Sequence, residues 1–239
     1  MSGGPISRSW SVLDFVLIWL GGQLGTAVFF ALAVAVGDND WLIVLPLAGL
    51  YIGHLGVFWF LSRQKDASTV GLAIERGDFF YIALGLVLQV VIAVVFLPLN
   101  ELLFPEGRPP QDIAEIIASA DTLFLQVSLV LGTVVFTPVT EELMYRGVLL
   151  RALEKRGKWW AILASSAVFA ILHMTGLDTD QFWLSATVLL PPLFILSIVL
   201  AWLTLKTGRL GPAIFLHSGW NLLSAFVLLL PTELLEQVG

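Results

Sequence analysis

The chain alternates long apolar stretches with short polar connectors. A membrane span needs about 20 apolar residues, and seven stretches approach that length. The predicted spans cover residues 14–36, 41–61, 79–103, 122–139, 159–175, 183–205 and 211–230. Charged residues are largely confined to the connectors, which is typical of a helical bundle and not of a membrane barrel. The pattern therefore predicts an all-α, polytopic transmembrane bundle.

A further helix with a polar face is predicted at residues 140–157. This motif helix either continues the fourth span after a break at Pro138 or makes an eighth span. The pattern also predicts a short surface helix at residues 112–120 and tight turns at residues 37–40 and 176–180. The spans and these connectors together account for the whole chain.

Composition supports a membrane protein without a separate soluble domain. The chain is 58% hydrophobic and 13% charged, with a mean hydropathy of +0.91, whereas a soluble domain is about 25% charged. We expect one integral membrane domain over 1–239, with spans lacking site motifs in 1–121 and a catalytic core in 122–230. The absence of Cys excludes disulfides, thiolate metal sites and a Cys nucleophile. No basic patch indicates nucleic acid as a partner.

The basic residues of the connectors predict the orientation. Lys and Arg concentrate on the cytoplasmic side of membrane proteins. With the N-terminus in the cytoplasm, only Arg108 lies outside, and the residues predicted inside are Arg8, Arg63, Lys65, Arg76, Arg151, Lys155, Arg156, Lys158, Lys206 and Arg209. We expect a multi-pass protein of the plasma membrane with a cytoplasmic N-terminus.

Three apolar stretches of the second half carry polar residues that a span does not need. The motifs are Glu141-Glu142-x-x-x-Arg146, Phe169-x-x-x-His173 and His217-x-x-x-Asn221. An ionisable group at membrane depth costs about 2.5–3.5 kcal/mol even on insertion scales, so such groups are functional candidates. Their convergence from three helices would assemble a hydrolytic site.

The first motif predicts a division of labour between two acids. Glu142 and Arg146 are four residues apart, so they share a helix face and should pair. Glu141 is rotated by about 100° and should face a cavity. A helix start at Thr137-Pro138 would place both acids near the positive end of the helix dipole. The alternative is an amphipathic cytoplasmic helix with an ordinary salt bridge.

Each of the other motifs has a structural explanation when taken alone. His173 near a helix end is more often packed or interfacial than a ligand. His217 and Asn221 share a helix face and could serve interhelical hydrogen bonding. His54, between Gly53 and Gly56 with no matching carboxylate, is predicted to pack between helices.

Taken together, the motifs predict either of two hydrolytic arrangements. Glu141, His173 and His217 match the His, His and Glu ligands that hold catalytic zinc with an open position for water. A divalent metal, with zinc preferred, is therefore the expected cofactor. Without a metal, Glu141 would act as general base, while Asn221 and one His would hold the oxyanion.

The ordered motifs resemble the CPBP family of intramembrane proteases, which includes the type II CAAX prenyl endopeptidases and the Abi group of bacteriocin-immunity proteins. The resemblance covers residues 136–229 and implies hydrolysis of a membrane-associated peptide or protein. It implies that Glu141 activates water with help from His173, and that His217 and Asn221 complete the site. By the same resemblance, Glu142 and Arg146 would support the site, and Phe169 would line it. The family is often called metalloprotease, but these residues permit both zinc and a glutamate acting alone.

Two other functions fit the same residues. A transporter or proton pathway also uses buried Glu, His and Arg, but it needs a polar trail, and the early spans offer only Gln23, His54 and Gln89. A non-catalytic scaffold or immunity protein of the same fold would keep the motifs without activity.

The depths of the two histidines are unequal. His173 lies about 22 Å along a helix from Lys158, whereas His217 lies about 12 Å from Arg209. The two can meet only if the fifth helix is tilted or begins outside the hydrocarbon.

Overall fold

Seven helices make up the described part of the chain. The computed structural model describes residues 9–65, 67–105, 116–117, 119–176 and 182–229. The helices are α1 (Val12–Val36), α2 (Asn39–Ser62), α3 (Phe80–Leu103), α4 (Leu123–Arg156), α5 (Lys158–Leu172), α6 (Phe182–Thr207) and α7 (Gly211–Leu228). These ranges contain no strand, so the predicted all-α fold is confirmed.

The protein is an integral, multi-pass membrane protein. Within the described ranges, α1, α2, α3, α4 and α6 are long and apolar enough to cross a bilayer. Many of their large apolar side chains lie on the surface, as contact with lipid requires; examples are Leu24, Val95 and Trp183. The 15 residues of α5 span about 22 Å, less than the hydrocarbon thickness of about 30 Å. The structure thus has five candidate spans in the described ranges, and the total of seven spans stays a prediction.

The predicted break at Pro138 does not occur, because α4 runs continuously from Leu123 to Arg156. A π-helical segment, Gly132–Phe136, comes before this proline. Proline lacks an N–H, and its ring crowds the carbonyl four residues earlier; the wider π turn accommodates both problems. Residues 140–156 therefore continue helix α4 and do not start a new helix, so the two acids do not lie at a helix N-terminus.

The second half of α4 lies at the centre of the bundle. Its other π-helical segment, Leu143–Leu150, has all of its residues buried. Helix α4 contacts α1, α2, α5, α6 and α7. Its buried apolar side chains join those of Ile162 and Phe169 from α5 in one core. The first motif is thus enclosed by helices instead of lying on a cytoplasmic surface.

The basic connectors meet at one end of the bundle. Lys65 Nζ donates to the Ser9 carbonyl at 3.3 Å, and Lys155 Nζ donates to Ser9 Oγ at 3.0 Å. Arg209 donates to both carboxylate oxygens of Asp78, at 2.7 and 3.1 Å. These contacts join the N-terminal segment, the α2–α3 connector, the end of α4 and the α6–α7 connector. They agree with the predicted placement of these segments on a common side of the membrane.

Glycines let α1 and α2 pack with their backbones in contact. A Cβ atom on Gly25 would meet the Gly49 carbonyl, and one on Gly53 would meet the Gly21 carbonyl. Small residues permit such close approach between membrane helices. His54 is buried against Gly22, where a Cβ atom would overlap its imidazole, so its predicted packing role fits this contact.

Gly53→Ala is expected to destabilise the fold, whereas Gly56→Ala is not. The added methyl at Gly53 would meet backbone of α1 that cannot move away, while the same methyl at Gly56 meets nothing within 4 Å. Overpacking costs about 1–3 kcal/mol. Thermal unfolding of both variants in one detergent compares them directly, and equal midpoints would contradict the close contact.

Some sequence predictions lie outside the described residues. They are residues 177–180 of the connector 176–180, most of the surface helix 112–120, and Arg8 and Arg108 of the orientation argument. The predicted fifth span, 159–175, is shorter in the structure: α5 ends at Leu172, and a 3₁₀ turn, His173–Gly176, follows.

Candidate active site

A buried ion pair stands at the centre of the site. Arg146 Nε lies 3.1 Å from Glu142 Oε2, and the two side chains are 1% and 0% exposed. Arg146 Nη2 also donates to Ser197 Oγ of α6 at 2.9 Å, and its guanidinium carbon lies 4.7 Å from the centre of the Phe169 ring. The predicted contact between Glu142 and Arg146 is confirmed, and it links three helices.

Glu142 has a second partner that the sequence did not predict. His217 Nδ1 lies 2.9 Å from Glu142 Oε1. A carboxylate in an ion pair only accepts hydrogen bonds, so Nδ1 of His217 is the donor in this contact. Glu142 therefore fixes the orientation of the His217 imidazole in α7 and turns its Nε2 toward Glu141.

The second motif holds its histidine through the backbone. His173 Nδ1 lies 2.7 Å from the Phe169 carbonyl, which can only accept, so Nδ1 again donates. The Phe169 side chain is fully buried, and its ring centre lies 4.5 Å from that of His173 and 5.9 Å from that of His217. Phe169 therefore packs against both imidazoles.

Glu141 lies between the two histidines. Its Oε1 is 3.9 Å from His173 Nε2, and its Oε2 is 3.8 Å from His217 Nε2. The structure therefore brings together the three residues predicted to carry the chemistry, and the difference in histidine depth does not keep them apart. Side-chain exposure is 31% for His173, 19% for Glu141 and 4% for His217.

The space between these groups is lined by hydrogen-bond acceptors. Both Nδ1 atoms donate hydrogen bonds, so in the neutral form of each imidazole Nε2 is an acceptor, and it faces the Glu141 carboxylate. Three acceptors facing one another call for a donor between them. A water molecule can donate one hydrogen to Glu141 and one to an imidazole while keeping a lone pair for attack on a carbonyl carbon.

The carboxylate of Glu141 and the two imidazoles meet only some of the geometric requirements of a zinc site. Histidine ligands commonly donate their second N–H to a carboxylate or a carbonyl, and both histidines do so here. Ligands of one tetrahedral zinc, however, lie about 3.3 Å apart, and the separations from Glu141 are 3.8 and 3.9 Å. No group of three potential ligands in the described ranges has a metal-holding arrangement. The zinc expectation therefore stays a prediction.

Asn221 points elsewhere. It lies one turn beyond His217 on α7, and its Nδ2 donates to the Thr133 carbonyl of α4 at 2.8 Å. Thr133 belongs to the π-helical segment, two turns before Glu141. The amide predicted to hold an oxyanion thus has at least one hydrogen committed to the backbone.

Sequence reasoning missed Ser197 and Thr133 as partners. A hydroxyl inside the apolar helix α6 was the only signal for Ser197. Thr133 participates through its carbonyl oxygen, for which no side-chain pattern gives a signal. Both contacts join residues far apart in the chain, so local spacing does not reveal them.

Comparison with known families supports the motif-based resemblance. Residues 123–223 match the model of a family described as Type II CAAX prenyl endopeptidase Rce1-like. The matched segment contains all three motifs and all of the contacts around Glu141. Comparisons with curated proteins and with solved structures found no match.

Proposed function

We propose that this protein is a CAAX-type intramembrane endopeptidase in which Glu141 activates the attacking water. The observation that carries the proposal is the position of the Glu141 carboxylate between two imidazoles whose tautomers are fixed by Phe169 and Glu142. The match to a family of prenyl endopeptidases supports the same reaction.

The residues suggest a simple course for the hydrolysis. Water held between Glu141 and His173 attacks the peptide carbonyl, and its proton passes to Glu141. The tetrahedral intermediate then loses the amine as the C–N bond breaks, and Glu141 returns the proton to the leaving nitrogen. His217 donates to the oxyanion after its Nε2 takes up a proton from bulk water, and it returns that proton when the intermediate collapses. The carboxylate is regenerated, and the products are a free acid and a free amine.

No step of this course passes through a metal, because the distances from Glu141 do not match those of a zinc site. The carboxylate and the imidazoles would supply the ligands if a metal bound, and the metal would contribute a Lewis acid. Treatment with a chelator distinguishes metal-free hydrolysis from metal-dependent hydrolysis.

The substrate class follows from the family description. We propose a membrane-associated peptide or protein with a prenylated cysteine three residues before its C-terminus, cleaved near the cytoplasmic face of the plasma membrane. The N-terminus would then lie in the cytoplasm, on the side where the basic connectors meet.

The geometry does not favour a transporter. Among the polar residues that the early spans offered, Gln89 donates to Ser224 of α7, His54 packs against Gly22, and Gln23 lies on the exposed surface of α1. They do not form a trail leading to Glu141. The scaffold function remains the alternative that an activity measurement decides.

We expect the purified protein, reconstituted in liposomes, to release the C-terminal tripeptide from a farnesylated peptide ending in a CAAX sequence. The unprenylated peptide serves as control and should be cleaved at least tenfold more slowly, because it lacks the lipid that concentrates it in the bilayer. Products are identified by mass spectrometry. A folded protein that cleaves neither peptide would favour the scaffold function, and equal cleavage of both would contradict the proposed substrate class.

A further inference from the structure

The π-helical segment Gly132–Phe136 leaves the Thr133 carbonyl of α4 without a donor in the helix. The Thr137 N–H donates to the Gly132 carbonyl, five residues back. In the same pattern the next donor, for the Thr133 carbonyl, would be the N–H of residue 138, but Pro138 has none. An unpaired backbone carbonyl inside a protein is costly, so Thr133 requires a donor from outside the helix.

Asn221 supplies that donor. Its Nδ2 lies 2.8 Å from the Thr133 carbonyl oxygen. Asn221 belongs to α7, which packs closely against α3. A Cβ atom on Gly219 would meet the Ile82 carbonyl of α3, and one on Gly85 of α3 would meet the Leu216 carbonyl. The backbones of α3 and α7 are therefore in contact, and Asn221 reaches α4 from a fixed position.

The state of this segment determines where Glu141 points. A π turn takes one residue more than an α turn, and each α-helical residue advances by about 100°. If the π turn were lost, the part of α4 after Pro138 would rotate by about 100° relative to the part before it. Glu142 and Arg146 hold the second part in the core. The rotation between the two parts of α4 therefore depends on the π turn, where Asn221 donates to Thr133.

We propose that Asn221 is a positioning residue, which stabilises the π turn before Pro138 and so keeps Glu141 directed at the two histidines. This inference rests on the proposed hydrolytic function but differs from the oxyanion role expected from the sequence. Asn221 acts on the catalytic carboxylate through the backbone of α4. Tyr51 supports the same segment from α2, since its hydroxyl lies 2.9 Å from Thr137 Oγ1.

A double substitution tests the assignment. Asn221→Ala is expected to lower kcat by about tenfold, the effect of one unsatisfied buried carbonyl, with KM nearly unchanged. Pro138→Ala restores an N–H that can serve the Thr133 carbonyl and so keep the π turn without Asn221. Adding Pro138→Ala to Asn221→Ala should therefore recover the rate of Pro138→Ala alone to within about threefold. An oxyanion donor could not be replaced in this way, and a double variant that is slower than Pro138→Ala alone by more than threefold would overturn the proposal.

Ser224→Ala is the matched control. Ser224 lies on α7, as Asn221 does, but its hydrogen bond comes from Gln89 of α3. Removal of this bond should leave the cleavage rate unchanged.

Hydrogen exchange of the full chain in liposomes gives a readout independent of activity. Asn221→Asp keeps the shape of the side chain but removes the donor, so the amides of residues 134–137 should exchange at least tenfold faster than in the wild type. Ser224→Ala should leave them protected. Unchanged exchange in Asn221→Asp would overturn the proposal even if no peptide is cleaved, and faster exchange with an inactive wild type would refute the proposed function alone.

Discussion

Glu141→Gln is expected to abolish peptide cleavage while the protein remains folded. The amide keeps the size of the side chain but cannot accept the proton of the attacking water, and general base catalysis contributes about 10²- to 10⁴-fold. Glu141 forms no close ion pair, since its nearest histidine nitrogens lie at 3.8 and 3.9 Å, so its charge does not hold the fold together. Cleavage of the farnesylated peptide and thermal unfolding in detergent measure the two effects.

Glu154→Gln is the control for this substitution. It removes a carboxylate from the same helix, at its exposed end, where Glu154 pairs with Arg151 at 3.2 Å. An exposed pair of this kind contributes about 0–1 kcal/mol, so rate and stability should both stay near the wild type. A Glu141→Gln variant that cleaves as fast as Glu154→Gln would remove Glu141 from the reaction.

Treatment with a strong chelator tests whether Glu141 acts as general base without a bound metal. The described geometry predicts that chelation leaves the wild-type rate unchanged. Loss of activity with the chelator, followed by recovery with zinc, would instead support the metal that the sequence favoured.

Arg146→Ala is expected to have the largest effect on folding. It leaves Glu142 buried without its counter-charge, and removal of one member of a buried pair costs about 3–5 kcal/mol. Ser197 Oγ loses its donor as well. We expect a large fall in folded yield and in the thermal midpoint, whereas Glu141→Gln, only one position before Glu142, should retain both. Equal losses in the two variants would contradict the division of labour between the acids.

The double variant Arg146→Met with Glu142→Leu separates stability from function. Replacement of both charges with apolar side chains should recover much of the lost stability, because neither charge is then buried alone. Cleavage should not recover, because His217 Nδ1 has lost the carboxylate that orients it. Recovery of both properties would show that Glu142 has no part in orienting His217.

The sequence was sufficient for features that depend on local spacing. The pairing of Glu142 with Arg146 follows from their separation of four residues, and the burial of costly polar groups on three apolar helices predicted that they meet. The contact of Glu142 with His217 is a different case. It depends on how α4 and α7 pack, and apolar periodicity does not specify which side chains of two helices touch.

The course of α4 shows the other limit. Pro138 in an apolar helix predicts a break or a kink, and both possibilities were consistent with the sequence. The π-helical segment that accommodates the proline depends on a donor from another helix, Asn221. A tertiary contact thus decides a local structure that residue preferences alone leave open.

Exposure falls steadily from His173 through Glu141 to His217, and Glu142 beyond them is fully enclosed. Solvent therefore reaches these residues on the side of His173, whereas the buried charge pair encloses His217. We expect both fragments of a cleaved chain to leave past His173, on the side where the intact chain enters. A fragment anchored in the lipid would leave slowly, so we expect product inhibition and slow turnover even when bond cleavage itself is fast.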